Sequence, residues 1–158
     1  MYQLYFAERD TTLYERFPNR NTGIDEILEL VKVASGSRID GVIQASTYNS
    51  RILIDFGSEI TSLKTSIANG EIPTLHKGSI ESSSVYLNLH ASEASDILLS
   101  YDIKAYPVSE SWTNGTGNYA DDPTTRNGVS WARRSGFDGA VAWKTGSAHS
   151  QGTSAGRE

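Results

Sequence analysis

Cysteine is missing from this sequence of 158 residues, and with it go disulfides, thiolate metal sites and cysteine nucleophiles. Basic residues are also short: 14 Lys and Arg face 19 Asp and Glu, a formal net charge of −5, and they are scattered rather than striped. That distribution gives no electrostatic footprint for a phosphate backbone, so no nucleic-acid partner is expected. Long apolar runs are absent too. No window approaches the roughly 20 apolar residues of a membrane span, and the stretch Met1 to Asp10 has neither the basic lead nor the apolar core of a secretory leader. No membrane partner is expected, and synthesis in a cytoplasm is.

Reactive groupings are equally scarce. His76, His90 and His149 occur in no metal-ligand spacing, and nothing pairs an acid with a base or a nucleophile with a base in a recognisable motif. Asp121-Asp122 could offer two carboxylates to a hard cation, with Asp10 or Asp138 joining after folding. An acidic turn before Pro123 explains the same residues without a metal. Gly115-Thr116-Gly117 has the start of a nucleotide-binding glycine loop, but position 120 is Ala and no strand-to-helix unit surrounds it. Asn114-Gly115-Thr116 fits a glycosylation acceptor, which matters only in a secretory pathway, and Arg133-Arg134 reads as a solvated turn. The expectation is a chain that is not an enzyme, with no catalytic residue, no cofactor and no metal.

What is present is a modest apolar complement, 37% hydrophobic and 9% aromatic, enough for one core beneath long polar loops. Period-two alternation predicts strands. Ile52, Ile54 and Phe56 share the predicted core face of one; Val85, Leu87 and Leu89 share that of another, and Ile97, Leu99, Tyr101, Ile103 and Ala105 that of a third. Asn69-Gly70, Asn114-Gly115 and Asn127-Gly128 offer positive-φ turn positions. The segment Ile24 to Ala34 reads two ways, as a helix capped by Asn21 or Thr22 or as a strand apolar on both faces. Ser58 to Ala68 predicts a short connecting helix, capped by Ser58 and ended by Asn69-Gly70. From Glu110 the composition turns to Gly, Ser, Thr and Asn, yet holds all three tryptophans, Trp112, Trp131 and Trp143. They can pin an irregular loop onto a core, or, with Tyr119, form stacking surfaces for a carbohydrate.

The order of segments resembles the DNRLRE-type domain, a β-sandwich of extracellular carbohydrate-active proteins and of tailed-bacteriophage structural proteins. The resemblance rests on Asp10-Thr11-Thr12-Leu13-Tyr14-Glu15 with Pro18 and Asn21-Thr22-Gly23, then Ser50-Arg51-Ile52-Leu53-Ile54-Asp55-Phe56, then Tyr86-Leu87-Asn88-Leu89. It continues through Tyr106-Pro107-Val108-Ser109-Glu110-Ser111-Trp112 to Asn127-Gly128-Val129-Ser130-Trp131, spanning about residues 8 to 135. It implies a mainly β fold, a jelly-roll-like β-sandwich with one short connecting helix and an irregular carboxy-terminal segment. It also favours the strand over the helix for Ile24 to Ala34. On this reading residues 1–134 form the sandwich domain, incomplete relative to the family, and 135–158 an extended or disordered tail. The family's closing strands would come from a longer chain or from a neighbour.

The resemblance implies a virion structural protein on the outside of a head, neck or tail. Its expected partners are other virion proteins, as a homo-oligomer or bound in the assembly, with a glycan as a further candidate. A carbohydrate-binding module is the alternative. Trp112, Tyr119, Trp131 and Trp143 are the candidate binding or anchoring residues. Arg51 is a candidate structural residue, expected half-buried with its guanidinium on a carboxylate or on loop carbonyls. If the unclustered carboxylates hold no ion, chelator treatment leaves the thermal midpoint unchanged; a drop of several degrees restored by calcium would reveal a site among Asp10, Asp121, Asp122 and Asp138.

Overall fold

The structure is a computed structural model and describes residues 4–39, 42–71, 86–93, 102–136 and 140–144, with the side chains of 33–47 outside the description. The chain divides into two compact units, Ala7–Asp55 with Tyr106–Glu158 and Met1–Phe6 with Phe56–Ala105. Among the described residues the architecture is two small antiparallel sheets and one helix.

The larger sheet has strands β1 (Arg9–Tyr14), β2 (Lys32–Ile39) and β3 (Val42–Asp55), in the order β1-β3-β2. β1 runs antiparallel to the far end of β3, from Arg9 opposite Asp55 to Tyr14 opposite Ser50. β2 pairs with the near end, from Lys32 opposite Asn49 to Ile39 opposite Val42. Side chains alternate across a strand, so Thr11, Leu13, Arg51 and Leu53 share one face and Thr12, Tyr14, Ser50 and Ile52 the other. Leu13 is fully buried and Leu53 is 4% exposed, whereas Ile52, Ile54 and Phe56 are only half-buried. The core face is thus the opposite of the expected one. Both parities of this strand are rich in apolar residues, and the face that closes is the one that meets the tryptophans.

That face packs on the carboxy-terminal segment. Trp112, Val129, Trp131 and Trp143 join Leu13 and Leu53 in a single buried cluster. A buried tryptophan removes roughly 150–250 Å² from water, and the surrounding Gly, Ser and Thr offer little else to offset ordering costs of about 1–2 kcal/mol per residue. The second sheet follows from this anchoring. Strand β4 (Arg133–Ser135) pairs antiparallel with β5 (Val141–Ala142), with a register irregularity between Arg133 and Ser135. Ser135, expected to open an irregular tail, instead ends β4. Trp143 beyond β5 is 7% exposed, and its Nε1 donates to the Ser130 carbonyl at 3.1 Å. Phe137, Asp138 and 145–158 lie outside the described residues.

The other face of β1 is covered by irregular chain. Residues 24–31 are neither helix nor strand; only Lys32 to Ala34 of the expected segment belong to β2. The Glu29 amide donates to Thr12 Oγ1 at 3.0 Å, and the Val31 amide to Ser50 Oγ at 2.7 Å, while Ser50 Oγ donates to the Glu29 carbonyl at 2.6 Å. Hydroxyls on the sheet thus serve the backbone that a regular element would have served itself. Ile24, Ile27 and Leu30 remain exposed at 57%, 62% and 52%.

In the other unit the helix α1 (Gly57–Ala68) lies where sequence places it, but starts at Gly57 after an N-cap at Phe56 with no side-chain capping bond. Ser58 therefore sits inside the first turn. Asn69 is the C-cap, its amide donating to the Thr65 carbonyl, and Gly70 follows at φ +75°. Tyr86, Leu87 and Leu89 lie in irregular chain, 76%, 51% and 52% exposed, so no strand forms over 86–90. Residues 102–106 are likewise irregular and exposed; Val85 and 94–101 lie outside the described residues. The face assignment in β3 has a direct check: Leu53→Ala should cost about 2–5 kcal/mol in denaturant unfolding, and Ile54→Ala roughly 1 kcal/mol or less.

Candidate functional site

Segments far apart in the sequence converge on one buried side chain. Asn21, fully buried, uses Nδ2 to donate to the carbonyls of Asn114 at 2.6 Å and Val129 at 2.9 Å, and its Oδ1 accepts the Gly117 amide at 2.8 Å. Its own amide donates to the Thr125 carbonyl at 3.1 Å. Both side-chain donors and the acceptor are committed, so this is a satisfied polar centre rather than a helix cap. Thr22 beside it donates Oγ1 to the Thr12 carbonyl at 2.6 Å, on the edge of β1 away from β3. Thr22 Oγ1 has then spent its proton, so Thr11 Oγ1, 3.0 Å away, is the donor between the two hydroxyls.

Gly23, Gly115, Gly117 and Gly128 all leave no room for a Cβ in this packing, and two of them show why. Gly115 has φ +81°, and a Cβ there would lie 2.4 Å from Asn21 Oδ1. Gly128 lacks the positive φ that its Asn-Gly sequence suggests; a Cβ there would instead meet the Asn114 carbonyl at 2.3 Å and Asn21 Nδ2 at 2.5 Å. Asn114 donates Nδ2 to the Gly23 carbonyl at 2.6 Å, so the nitrogen that a glycan would occupy holds the loop together.

Arginines stack on the rings around this centre. Arg51 is half-buried, its guanidinium carbon 5.2 Å from the centroid of Trp131. Arg9 lies 4.5 Å over Trp112, donates Nη1 to the Trp112 carbonyl at 2.7 Å, and sends Nε and Nη2 to Asp55 Oδ2 at 2.8 and 2.6 Å. Arg9, whose cross-strand partner is Asp55, thus sets a guanidinium on a carboxylate. Nothing but an Arg in a strand signalled that in sequence.

The three tryptophans, at 6% to 7% exposed, present no ring face to a sugar. Tyr119 differs. It is 41% exposed and lies in an aromatic array outside the core, its ring 5.1 Å from Tyr14 and 5.9 Å from Phe17. Arg20 stacks between Phe17 and Tyr119, 4.8 Å from each, and donates Nη1 to the Tyr119 carbonyl. Arg16 continues the series, 5.6 Å from Phe17 and 5.4 Å from Tyr48. The array has a fixed inner end: the Tyr14 hydroxyl donates to Glu29, and burial, then the bond to and the charge of Glu29, push the phenol well above its usual range.

Two of the acids, Asp121 and Asp25, serve the loops structurally. Asp121 Oδ2 accepts the Asn118 amide at 2.9 Å; bonds from the Thr125 side chain and from Asn118, with the Arg20 charge, hold its carboxyl below the usual range against slight desolvation. That small stabilisation is present at neutral pH and fades as pH falls through the lowered value. Asp25 Oδ1 accepts the Tyr119 amide at 2.9 Å. Among the described residues no three His, Asp or Glu side chains group to hold a metal ion, and no helix is long and apolar enough to cross a membrane. His90 is exposed, and His76 and His149 lie outside the described residues. No family model, curated protein or solved structure matches the chain.

The Asn21 centre can be tested by an isosteric change. Asn21→Asp replaces the shared Nδ2 donor with an oxygen facing two carbonyls, and should cost on the order of 4 kcal/mol at neutral pH in chemical unfolding. The buried carboxyl would have a raised folded pKa, so its penalty relative to wild type should shrink on acidification, when the protonated acid regains one donor.

Proposed function

We propose that the chain is a bacteriophage virion structural protein of the DNRLRE type, a β-sandwich-class module that works by docking on other proteins at the outside of the particle. One observation carries this reading. Of the residues on which the resemblance rests, Thr11, Thr12, Asn21, Gly23, Trp112, Gly128 and Trp131 meet at the buried centre and its Trp cluster, whereas Tyr86, Leu87, Leu89 and Tyr106 are exposed in irregular chain. Residues scattered through the sequence for unrelated reasons have no cause to converge on one amide.

The physics of the centre suits a rigid display device. Interior tryptophans and glycines hold irregular loops still, and outward Arg and Tyr side chains then meet a partner with little entropy left to lose. Asp121 and Asp25 instead serve the loops. A carbohydrate-binding module draws less support, because the burial of Trp112, Trp131 and Trp143 leaves Tyr119 as the exposed ring among the four candidates.

Particles purified by density gradient from a culture whose phage encodes this chain should contain it at a fixed copy number. Immunogold labelling should place it on the head, neck or tail surface. Its absence from intact particles would overturn the proposal. Glycan-array binding that survives in the full-length chain and is lost in a folded Tyr119→Ala variant would favour the carbohydrate module instead.

A further inference from the structure

The aromatic array outside the core has an asymmetry that its structural role does not require. Arg20, in the middle, is turned inward: it has ring faces on both sides, the Tyr119 carbonyl at Nη1 and the Asp121 charge nearby, and its Nε is buried with no hydrogen-bond partner. Arg16, at the outer end, is exposed and makes only ring contacts among the described residues, with Phe17 and Tyr48. Its five N–H donors point along the plane of the guanidinium, whereas the rings contact its faces. The surrounding carboxylates are engaged with their own chain. Glu15 Oε2 accepts the Asn49 amide at 3.0 Å and Asn49 Nδ2 at 3.1 Å, Glu29 accepts the Tyr14 hydroxyl, and Asp25 accepts the Tyr119 amide.

We infer that Arg16, held between Phe17 and Tyr48 with Arg20 and Tyr119 alongside, is the anchor of a docking surface for a carboxylate-bearing polypeptide segment. This deepens the docking role proposed above and rests on it. A flexible exposed arginine loses side-chain entropy when it forms a pair, and such pairs contribute little. Stacking between two rings removes part of that cost in advance and leaves the planar fork free to take a carboxylate by two parallel hydrogen bonds. Arg and Tyr on a rigid base are the composition of interface anchors. A polypeptide is favoured over a nucleic acid because the surface has two arginines, enough for an isolated carboxylate, rather than the basic stripe that a run of phosphates requires. It is favoured over a glycan because the ring faces of Phe17 are covered by Arg16 and Arg20 and by Tyr119 rather than open for stacking.

The test uses the full chain and three labelled probes followed by fluorescence anisotropy at low salt: a hexaglutamate peptide, hexagalacturonate and a hexathymidylate. Hexaglutamate should bind saturably and weaken as salt is raised. Arg16→Gln should lower that affinity about tenfold, and Arg16→Lys should lose most of it, because an ammonium keeps the charge but not the fork. Lys64→Gln, in the exposed helix α1 of the other unit, should leave binding unchanged although it removes the same charge. Thermal midpoints of all variants should match wild type. Absence of saturable hexaglutamate binding, or equal binding by wild type and both Arg16 variants, would overturn the inference while leaving particle incorporation to be judged by the immunogold result. Tenfold tighter binding of hexagalacturonate or hexathymidylate would reassign the surface to an acidic glycan or a nucleic acid and equally overturn it.

Discussion

Two backbone carbonyls, of Asn114 and Val129, converge on the one side-chain nitrogen of Asn21, while the oxygen of the same amide takes the Gly117 amide. These partners come from loops about 93 to 108 residues away along the chain. No sheet ladder orders those loops, so their buried peptide groups must find partners singly. A primary amide is the smallest side chain that can both donate twice and accept. Once it is fixed, the glycines have to be glycines, because the backbones at 115, 117 and 128 each approach within 3 Å of where a Cβ would stand. The Trp cluster then closes over the sheet at the distance the amide sets.

This arrangement explains how the polar residues 107–136 and 140–144 are held with only the short strands β4 and β5 for regular structure. Hydrophobic area is concentrated in three large rings rather than spread along alternating strands, and each ring sits close to a backbone group already tied elsewhere. Thr113 donates its amide to the Arg134 carbonyl and accepts the Val129 amide, next to Trp112; the Ala132 amide, next to Trp131, reaches the Pro18 carbonyl. Glu110 adds a polar latch, accepting the Lys144 amide at 3.0 Å beside its 3.4 Å ion pair with Arg134. Loops held in this way keep their outward side chains in place, which is what a surface that recognises a partner by shape requires.

How much of this could be read in the sequence follows from which interactions are local. The helix α1 was legible because spacing, the Asn-Gly stop and its neighbours all act within a few residues; the start at Gly57 was missed because Ser58 is a good cap by type and the chain simply turns one residue earlier. The pairing of β2 with β3 had a local sequence signal in Asp40-Gly41, a turn-type dipeptide between runs of strand formers, at positions outside the described residues. It was obscured by the helical spacing of Ile24, Ile27 and Val31, which in the structure reflects neither helix nor strand. In β3, Leu53 lay on the other side of an alternation that pointed to Ile52, Ile54 and Phe56. Parity can be read from sequence; which parity faces the tryptophans depends on the rest of the molecule.

The buried centre was harder still to foresee, and the reason is chemical. Asn21-Thr22 looks like a helix cap because a cap and a buried loop pin use the same groups in the same way, a short polar side chain satisfying backbone amides that lack a partner. The two differ only in whether those amides are three residues away or a hundred. Spacing along the chain does not place Asn21, Trp112, Gly128 and Trp131 together; the folded backbone does. The geometry supplies the reason: at Asn21 the amide is chosen for its two kinds of hydrogen-bonding atom, at Gly128 the glycine for the absence of a side chain, and at Trp143 the indole for area with a donor attached. Substitutions that keep polarity but lose one of those attributes, such as Asp for Asn21 or Phe for Trp143, remove the feature on which the packing depends.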